Sequence, residues 1–176
     1  MTHIMLDLET LSTNSNAAII AIGAVKFDGE RGGKVYDKFY QAVTGVAELE
    51  GFHVKQSTLD WWAEKSEEAR AVFTDQNAVD LPTALLAFYH WAIKGTKVKD
   101  IRMWGNGSDF DNVILTSAYG ICNMVRPWEH WNSRCYRTIK NQNRNVPMNR
   151  TGTFHNALDD AESQANHLLA MGLTLA

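Results

Sequence analysis

The stretch HIMLDLE at residues 3–9 places two carboxylates inside an apolar run. Such a run is typical of a buried β-strand, and residues two apart on a strand point to the same face of the sheet. Asp7 and Glu9 are therefore expected to project side by side. A buried charged pair is costly unless it is compensated, which makes these two residues a candidate metal site. The Asp-x-Glu spacing is weak evidence by itself, because it also occurs at 28–30, in a glycine-rich turn, and at 160–162.

Two further segments rich in β-branched and aromatic residues follow at 18–27 and 34–43. The short connections between the three strands predict an antiparallel meander. The later pattern predicts helices over 57–73, 81–94, 109–120 and 155–171, strands over 98–104 and 134–139, and a polar loop over 140–153. This order predicts a single α/β domain over 1–176, with a mixed five-stranded sheet flanked by helices.

Composition excludes several classes of protein. The net charge is −3, which argues against a protein that holds nucleic acid by bulk positive charge. No apolar run reaches the length of about 18 residues typical of a membrane span, so no membrane association is expected. The first residues lack the basic region of a secretory signal, and Cys122 and Cys135 cannot build a disulfide framework. We therefore predict a cytoplasmic protein.

Two more segments carry candidate site residues. In GNGSDFDNVIL at 105–115, a glycine-rich turn leads into a helix whose first turn contains Asp111. Asp109 fits the capping position of that helix and leaves Asp111 free, although Asp111 could equally complement the helix dipole. In HNALDDA at 155–161, His155 precedes a helix and Asp160 lies near its start. The alternative there is an ordinary helix start capped by Asn156 or a neighbour.

Together these segments supply four carboxylates and one histidine. Four carboxylates without matching bases repel one another, and divalent cations resolve that repulsion. Oxygen ligands favour Mg²⁺ or Mn²⁺ over zinc, and two such ions about 4 Å apart are a common apparatus for phosphoryl displacement. A histidine, with an ordinary pKa of about 6.5, can take a proton from an attacking water.

The set resembles the DEDDh family of 3′–5′ exonucleases, which have an RNase H-like fold. Its three motifs appear here as Asp-Leu-Glu-Thr at 7–10, Asn-Gly-x-x-Phe-Asp at 106–111 and His-x-Ala-x-x-Asp-Ala at 155–161. The resemblance implies that Asp7, Glu9, Asp111 and Asp160 hold two Mg²⁺, for which Mn²⁺ is expected to substitute. It also implies that His155 is the general base.

The expected substrate contacts are Leu8, Thr10, Asn106 and Trp61. Trp61 is adjacent to Trp62 on a predicted helix, so the two indoles point in different directions. We expect one of them to pack in the core and the other to reach the site. The segments TLDWW at 58–62 and SEEAR at 66–70 are similar to a compact branch of phage, prophage and exoribonuclease-like nucleases.

The resemblance predicts a metal-dependent enzyme that hydrolyses the terminal phosphodiester of single-stranded RNA or DNA from its 3′ end and releases 5′-nucleoside monophosphates. A homodimer is one expected assembly. Two alternatives stay open: a hydrolase of small nucleotides or oligonucleotides on the same site, and a catalytically silent nucleic-acid-binding module. Residues 130–150 contain five basic residues and no acidic one, and these are Arg134, Arg137, Lys140, Arg144 and Arg150. They could follow the phosphate backbone of the substrate or simply solubilise a loop.

Overall fold

The computed structural model describes residues 1–175 and contains a five-stranded sheet in the order β3-β2-β1-β4-β5. The strands are β1 (Thr2–Thr10), β2 (Ile19–Phe27), β3 (Val35–Ala42), β4 (Ile101–Gly105) and β5 (Ser133–Cys135). The pairs β1–β2 and β2–β3 are antiparallel, whereas β4 pairs parallel with β1 and β5 pairs parallel with β4. The predicted mixed sheet and its antiparallel meander are therefore confirmed.

Helices cover both faces of this sheet. They are α1 (Gln56–Ala63), α2 (Glu67–Arg70), α3 (Leu81–Ile93), α4 (Asp111–Ile121), α5 (Tyr136–Gln142) and α6 (Ala157–Ala170). Short 3₁₀ segments lie at Val46–Glu48, Ala71–Thr74, Val98–Asp100 and His130–Asn132. Within residues 1–175, every helix is too short or too polar to cross a membrane.

The alternation of β1 divides the interior into two cores. Ile4, Leu6 and Leu8 face a large core that includes the buried sides of α3 and α4. Met5 faces a smaller core on the opposite side, made mainly with α5 and α6. Asp7 and Glu9 continue the row that Met5 begins, because residues two apart share a face. The two carboxylates therefore lie on the side of the sheet that α6 covers.

The predicted helix over 57–73 is wrong as a single element. The chain forms α1, then α2, then the 3₁₀ turn Ala71–Thr74. Ser66 interrupts the helix because its hydroxyl accepts a hydrogen bond from the Ala69 amide at 3.3 Å and so starts a new helix. The break leaves α1 short, with Trp62 buried at its end.

The segment 134–139 is also different from its prediction. Only Ser133–Cys135 forms a strand, and Tyr136 begins α5, which extends into the predicted loop as far as Gln142. Tyr136 is buried and its hydroxyl lies 2.6 Å from Nδ1 of His167 on α6. This long-range packing overrides the β-propensity of the segment.

Smaller differences concern the ends of two elements. Residues 98–100 form a 3₁₀ turn, so β4 begins at Ile101. Asp109 does not cap α4; the helix begins after Phe110 with no side-chain cap. Gly120 lies inside α4, and Asn123 beyond it takes the left-handed conformation, with φ 54°. Asn156, which the sequence offered with its neighbours as a possible cap, does cap the last helix, because its side chain accepts from the amides of the first turn.

Gly23 on β2 allows the start of α6 to touch the sheet. A β-carbon placed on Gly23 would lie 2.1 Å from the carbonyl carbon of Ala157, which is far inside van der Waals contact. Gly23 is also the residue that pairs with Asp7 in the β1–β2 register. The absence of a side chain at this position therefore brings the first turn of α6 directly beside Asp7.

We expect Gly23→Ala to destabilise the protein by about 3 kcal/mol, because the clash is with backbone atoms that cannot rotate away. Gly120→Ala is the matched control: it lies in a helix, with nothing within 4 Å of its β-carbon position, and should stabilise by about 0.5–1 kcal/mol. Urea unfolding of both variants measures the difference. A Gly23→Ala variant as stable as the wild type would contradict the proposed close contact.

Candidate active site

Three carboxylates from two distant parts of the chain meet at the end of β1. Asp7, Glu9 and Asp160 each place a side-chain oxygen within 4.8 Å of the other two. Glu9 and Asp160 are buried, and Asp7 is partly buried. Such a convergence of oxygen atoms is a geometry that can hold a hard divalent cation.

Asp111 lies beside this group but is held differently. Its Oδ1 accepts a hydrogen bond from the Leu8 amide at 3.1 Å, and its Oδ2 accepts one from the Asn106 amide at 2.7 Å. The side chain is almost completely buried at the start of α4. The helix can approach because Gly105 has no side chain: a β-carbon there would lie 3.1 Å from Cβ of Asp111. The fourth predicted acid thus joins β1 to the turn after β4.

Burial and mutual repulsion make the charged forms of these acids costly. Burial, followed by the charges of Asp111 and Glu9, raises the pKa of Asp7 well above its ordinary value. Burial and the charge of Asp160 raise the pKa of Glu9 to about 9. Burial also raises the pKa of Asp111, to about 6, and the amides of Asn106 and Leu8 oppose that rise. A bound cation would reverse this balance, so the donor set fits a divalent metal.

Gln164 is a site residue that sequence reasoning missed. It is buried on α6, and its amide nitrogen donates a hydrogen bond to Oδ1 of Asp7 at 2.7 Å. Its own Oε1 is buried and has no hydrogen-bond partner among residues 1–175. The signal was present in the sequence, because Gln164 is four residues after Asp160 and therefore on the same face of the helix.

Arg150 is a second residue whose contact with the carboxylate cluster the sequence did not predict. Its Nη1 forms an ion pair with Oδ1 of Asp160, and its guanidinium stacks 4.3 Å from the ring of Phe154. The sequence left two roles open for the basic stretch that contains Arg150, contact with the substrate backbone or solubility of a loop. In the structure Arg150 instead supplies a positive charge beside the carboxylate cluster.

His155 is held at the edge of the cluster by its backbone. Its amide donates to Oδ2 of Asp160 at 3.2 Å, and its φ of 63° is left-handed. The imidazole packs edge-on against Trp61, with 4.8 Å between the ring centroids. Burial lowers the pKa of His155, the charge of Asp160 opposes this, and Lys65 and Arg150 lower it further. The ring is therefore neutral at neutral pH and able to accept a proton.

Two contacts of α6 fix the loop that carries His155. The Ser163 hydroxyl lies 3.2 Å from both the amide and the carbonyl of Thr151. Asp159 accepts a hydrogen bond from the Thr153 amide at 2.7 Å. The adjacent acids Asp159 and Asp160 therefore have different roles. Asp159 binds the loop, and Asp160 belongs to the carboxylate cluster.

Two of the predicted substrate contacts, Thr10 and Trp61, line a cleft next to the cluster. Thr10, Trp61 and Phe110 border a cavity of about 340 Å³. Trp61 is 38% exposed, whereas Trp62 is buried and donates from Nε1 to the Thr10 carbonyl at 2.9 Å. Trp62 therefore packs in the core and Trp61 borders the cavity, and a contact between Trp61 and the substrate stays a prediction.

Leu8 and Asn106, the other two expected substrate contacts, already use their backbone amides within the site. The amide of Leu8 is engaged by Asp111, which leaves its carbonyl as the group available to a ligand. Asn106 also uses its amide on Asp111, and its side-chain oxygen accepts from Nε of Arg137 at 3.3 Å. The structure therefore places Leu8 and Asn106 beside Asp111 and commits their backbone amides to that carboxylate.

Comparison with known proteins identifies a family and a fold. The family model of the Rv2179c-like 3′-5′ exoribonuclease domain matches residues 2–171. A comparison of the sequence with curated proteins finds no match.

Three solved structures with the same fold are those of nucleases, one of them described as a DEDDh family member. The nuclease domain of 3′hExo, a DEDDh family member bound to rAMP, superposes with a TM-score of 0.64 at 17% identity, covering 97% of this chain and 90% of that one. Cell-death related nuclease 4 (CRN-4) gives a TM-score of 0.62 at 18% identity, with 97% and 63% covered. E. coli exonuclease I in complex with a dA16 oligonucleotide gives 0.62 at 14% identity, with 96% and 40% covered. The chain spans less than two thirds of the last two proteins, and the RNase H-like arrangement of the sheet is confirmed.

We expect Asp7→Asn to raise the melting temperature of the metal-free protein, because it removes one of the repelling charges. The wild type should gain about 5–10 °C in Mg²⁺ or Mn²⁺ at about one hundred times the dissociation constant, and Asp7→Asn should lose most of that gain. Thermal melts with metal and with chelator measure both effects. Asp60→Asn, an exposed acid on α1, is the control. An unchanged response to metal in Asp7→Asn would exclude Asp7 as a ligand.

Proposed function

The chain belongs to the family of Rv2179c-like 3′-5′ exoribonuclease domains and is a 3′–5′ exonuclease; from this premise we propose that it shortens single-stranded RNA by releasing 5′-nucleoside monophosphates. The observation that carries the proposal is the convergence of Asp7, Glu9 and Asp160 beside His155 and an open cleft. Carboxylates, a neutral imidazole and a cavity for one nucleoside are the groups that hydrolysis of a terminal phosphodiester needs.

The carboxylates would hold two divalent cations, either Mg²⁺ or Mn²⁺, on Asp7, Glu9 and Asp160, with Asp111 completing the set. When bound, such ions activate the attacking water and stabilise negative charge on the phosphate and on the leaving oxygen. Gln164 holds the Asp7 carboxylate in one orientation through its hydrogen bond. The amides of Leu8 and Asn106 do the same for Asp111. The ligand set is thus oriented by neutral donors before a cation arrives.

His155 is proposed as the general base. The water oxygen attacks the terminal phosphorus, the water proton passes to the neutral imidazole, and the bond from phosphorus to the upstream 3′-oxygen breaks. That oxygen leaves on the shortened strand and takes a proton from solvent, and the released nucleotide keeps its 5′-phosphate. Trp61 packs edge-on against the imidazole and limits its rotation.

The cavity of about 340 Å³ that Thr10 borders, one residue after Glu9, is proposed to receive the terminal nucleoside. Trp61 and Phe110 give it apolar walls, on which a base can stack irrespective of its identity. Thr10 and Lys55 add polar groups at its edge. A base held in this way must be unpaired, so a single-stranded 3′ end is the favoured substrate.

A time course on 5′-labelled single-stranded RNA and DNA of identical sequence tests the reaction. We expect a ladder that shortens from the 3′ end, faster for RNA than for DNA, in Mg²⁺ and in Mn²⁺ but not with chelator. Asp7→Ala is the inactive control. An intact strand, in a protein whose melting temperature still responds to metal, would contradict the proposal and favour a small-nucleotide hydrolase or a binding module.

The base assignment has its own test. His155→Ala should lower kcat by about 100- to 10,000-fold, because proton transfer by a positioned side chain contributes about that much. The metal-dependent rise in melting temperature should stay as in the wild type. His90→Ala, an exposed histidine on α3, serves as control. Normal turnover by His155→Ala would refute the assignment.

A further inference from the structure

A second cavity, of about 330 Å³, lies between α4 and β5. Its lining includes Gly107, Ser108, Thr116, Arg126, Ser133 and Arg134. Neither the proposed chemistry nor the cleft around Trp61 uses these residues. The cavity therefore needs an explanation of its own.

The chemistry of this cavity favours an anion. Two guanidinium groups and three hydroxyls face it, and no acidic residue is among the residues that line it. A guanidinium offers paired N–H donors that match two oxygens of a phosphate group. A phosphodiester carries one negative charge on two such oxygens, whereas a neutral or cationic ligand would leave both arginines without a counter-charge.

The two guanidinium groups are held in place by the protein. Arg126 donates from Nε to the Trp128 carbonyl at 3.1 Å and from Nη1 to Oγ1 of Thr116 at 3.0 Å. Arg134 donates from Nη1 to the Trp131 carbonyl at 2.9 Å. The Nη2 groups of both arginines have no acceptor within residues 1–175, so each keeps donors for a ligand. Preorganisation of this kind lowers the entropic cost of binding.

One short turn of the chain links the cavity to the catalytic site. Asn106 binds Asp111 through its amide, and the next residue, Gly107, already lines the cavity. Arg137 lies over the same turn, with Nε donating to Oδ1 of Asn106. A strand whose 3′ end lies at the carboxylate cluster can therefore pass this turn and reach the two arginines.

We propose that this cavity is a phosphate-binding subsite for the substrate strand upstream of the scissile bond. The proposal deepens the proposed function and rests on it, since it assigns a polynucleotide and not a mononucleotide as substrate. Of the five basic residues between 130 and 150, it gives a backbone-binding role to Arg134, with Arg137 beside it and Arg126 added from outside that stretch. Arg150 is excluded from that role by its ion pair with Asp160.

The test adds one negative charge to the cavity without touching the arginines. Ser108 is exposed, lines the cavity and has no side-chain hydrogen bond within residues 1–175, so Ser108→Glu should fold normally. Ser108→Gln has the same size and no charge and is the matched control. Arg126→Met is the complementary variant, because it keeps an unbranched stem beside the Trp128 ring. Arg31→Ala, in the exposed turn before β3, controls for loss of a remote positive charge.

Two measurements are made on each variant in Mg²⁺. The first is the affinity for 5′-fluorescent RNA of two to ten nucleotides with phosphorothioate linkages, by anisotropy over a range of salt concentrations. The second is hydrolysis of an unmodified dinucleotide. We expect the affinity of the wild type to rise with length and that rise to be lost in Ser108→Glu but kept in Ser108→Gln and Arg31→Ala. Arg126→Met should reduce the slope of log affinity against log salt by about 0.7, the value for one phosphate contact on a single strand.

Equal length dependence in Ser108→Glu and Ser108→Gln would overturn the subsite, as would an unchanged salt slope in Arg126→Met. Loss of dinucleotide hydrolysis in Ser108→Glu would also overturn it, because the effect would then lie in the catalytic site. A wild type that binds longer RNA more tightly but hydrolyses neither the dinucleotide nor the RNA of the time course would leave the subsite standing and refute the proposed function.

Discussion

The site depends on two places where a helix meets the sheet through a glycine. At Gly23 the start of α6 lies against β2, and at Gly105 the start of α4 lies against the end of β4. A side chain at Gly23 would clash with the backbone of α6, and one at Gly105 would crowd the side chains of Asp111 and Asn112. Asp160 and Asp111 are each carried by the first turn of one of these helices, so both carboxylates reach β1 because a glycine lets that turn approach the sheet. Close-packed interiors transmit such shifts and do not absorb them.

Bringing these carboxylates together causes electrostatic repulsion, and the protein offsets part of it with hydrogen-bond donors and one positive charge. Two backbone amides bind Asp111, a side-chain amide binds Asp7, and a guanidinium pairs with Asp160. Glu9 has no such partner within residues 1–175, and burial, together with the charges of Asp160 and Asp111, raises its pKa to about 9. The cluster is therefore only partly compensated by the protein itself. The remaining negative charge of the carboxylates is what a divalent cation would neutralise.

Local sequence patterns predicted most of the fold, because they are physically local. The alternation in β1, the short turns of the meander and the cap of α6 each depend on neighbouring residues. The failures have a different origin. Ser66 divided a helix whose apolar periodicity continued past it, and Tyr136 became helical because it packs on His167, a residue 31 positions away. No window of sequence contains that contact.

The same distinction applies to the site. The five motif residues were recognisable because their types and spacings are characteristic of a known family, and the structure brings them to one cleft. Gln164 and Arg150 were missed or given another role because a glutamine and an arginine are common on helices and in loops. Only the fold shows that one of them points at Asp7 and the other at Asp160.

The packing of Trp61 against His155 has a practical consequence for spectroscopy. Trp61 is 38% exposed, and its ring centroid lies 4.8 Å from that of the His155 imidazole. The Nζ of Lys65 lies over the same indole ring, 4.1 Å from its centroid. Its fluorescence should respond when a nucleotide enters the cleft, without any attached dye. The other indoles of the chain can be subtracted by comparison with a Trp61→Phe variant, so the protein carries its own optical probe of an occupied site.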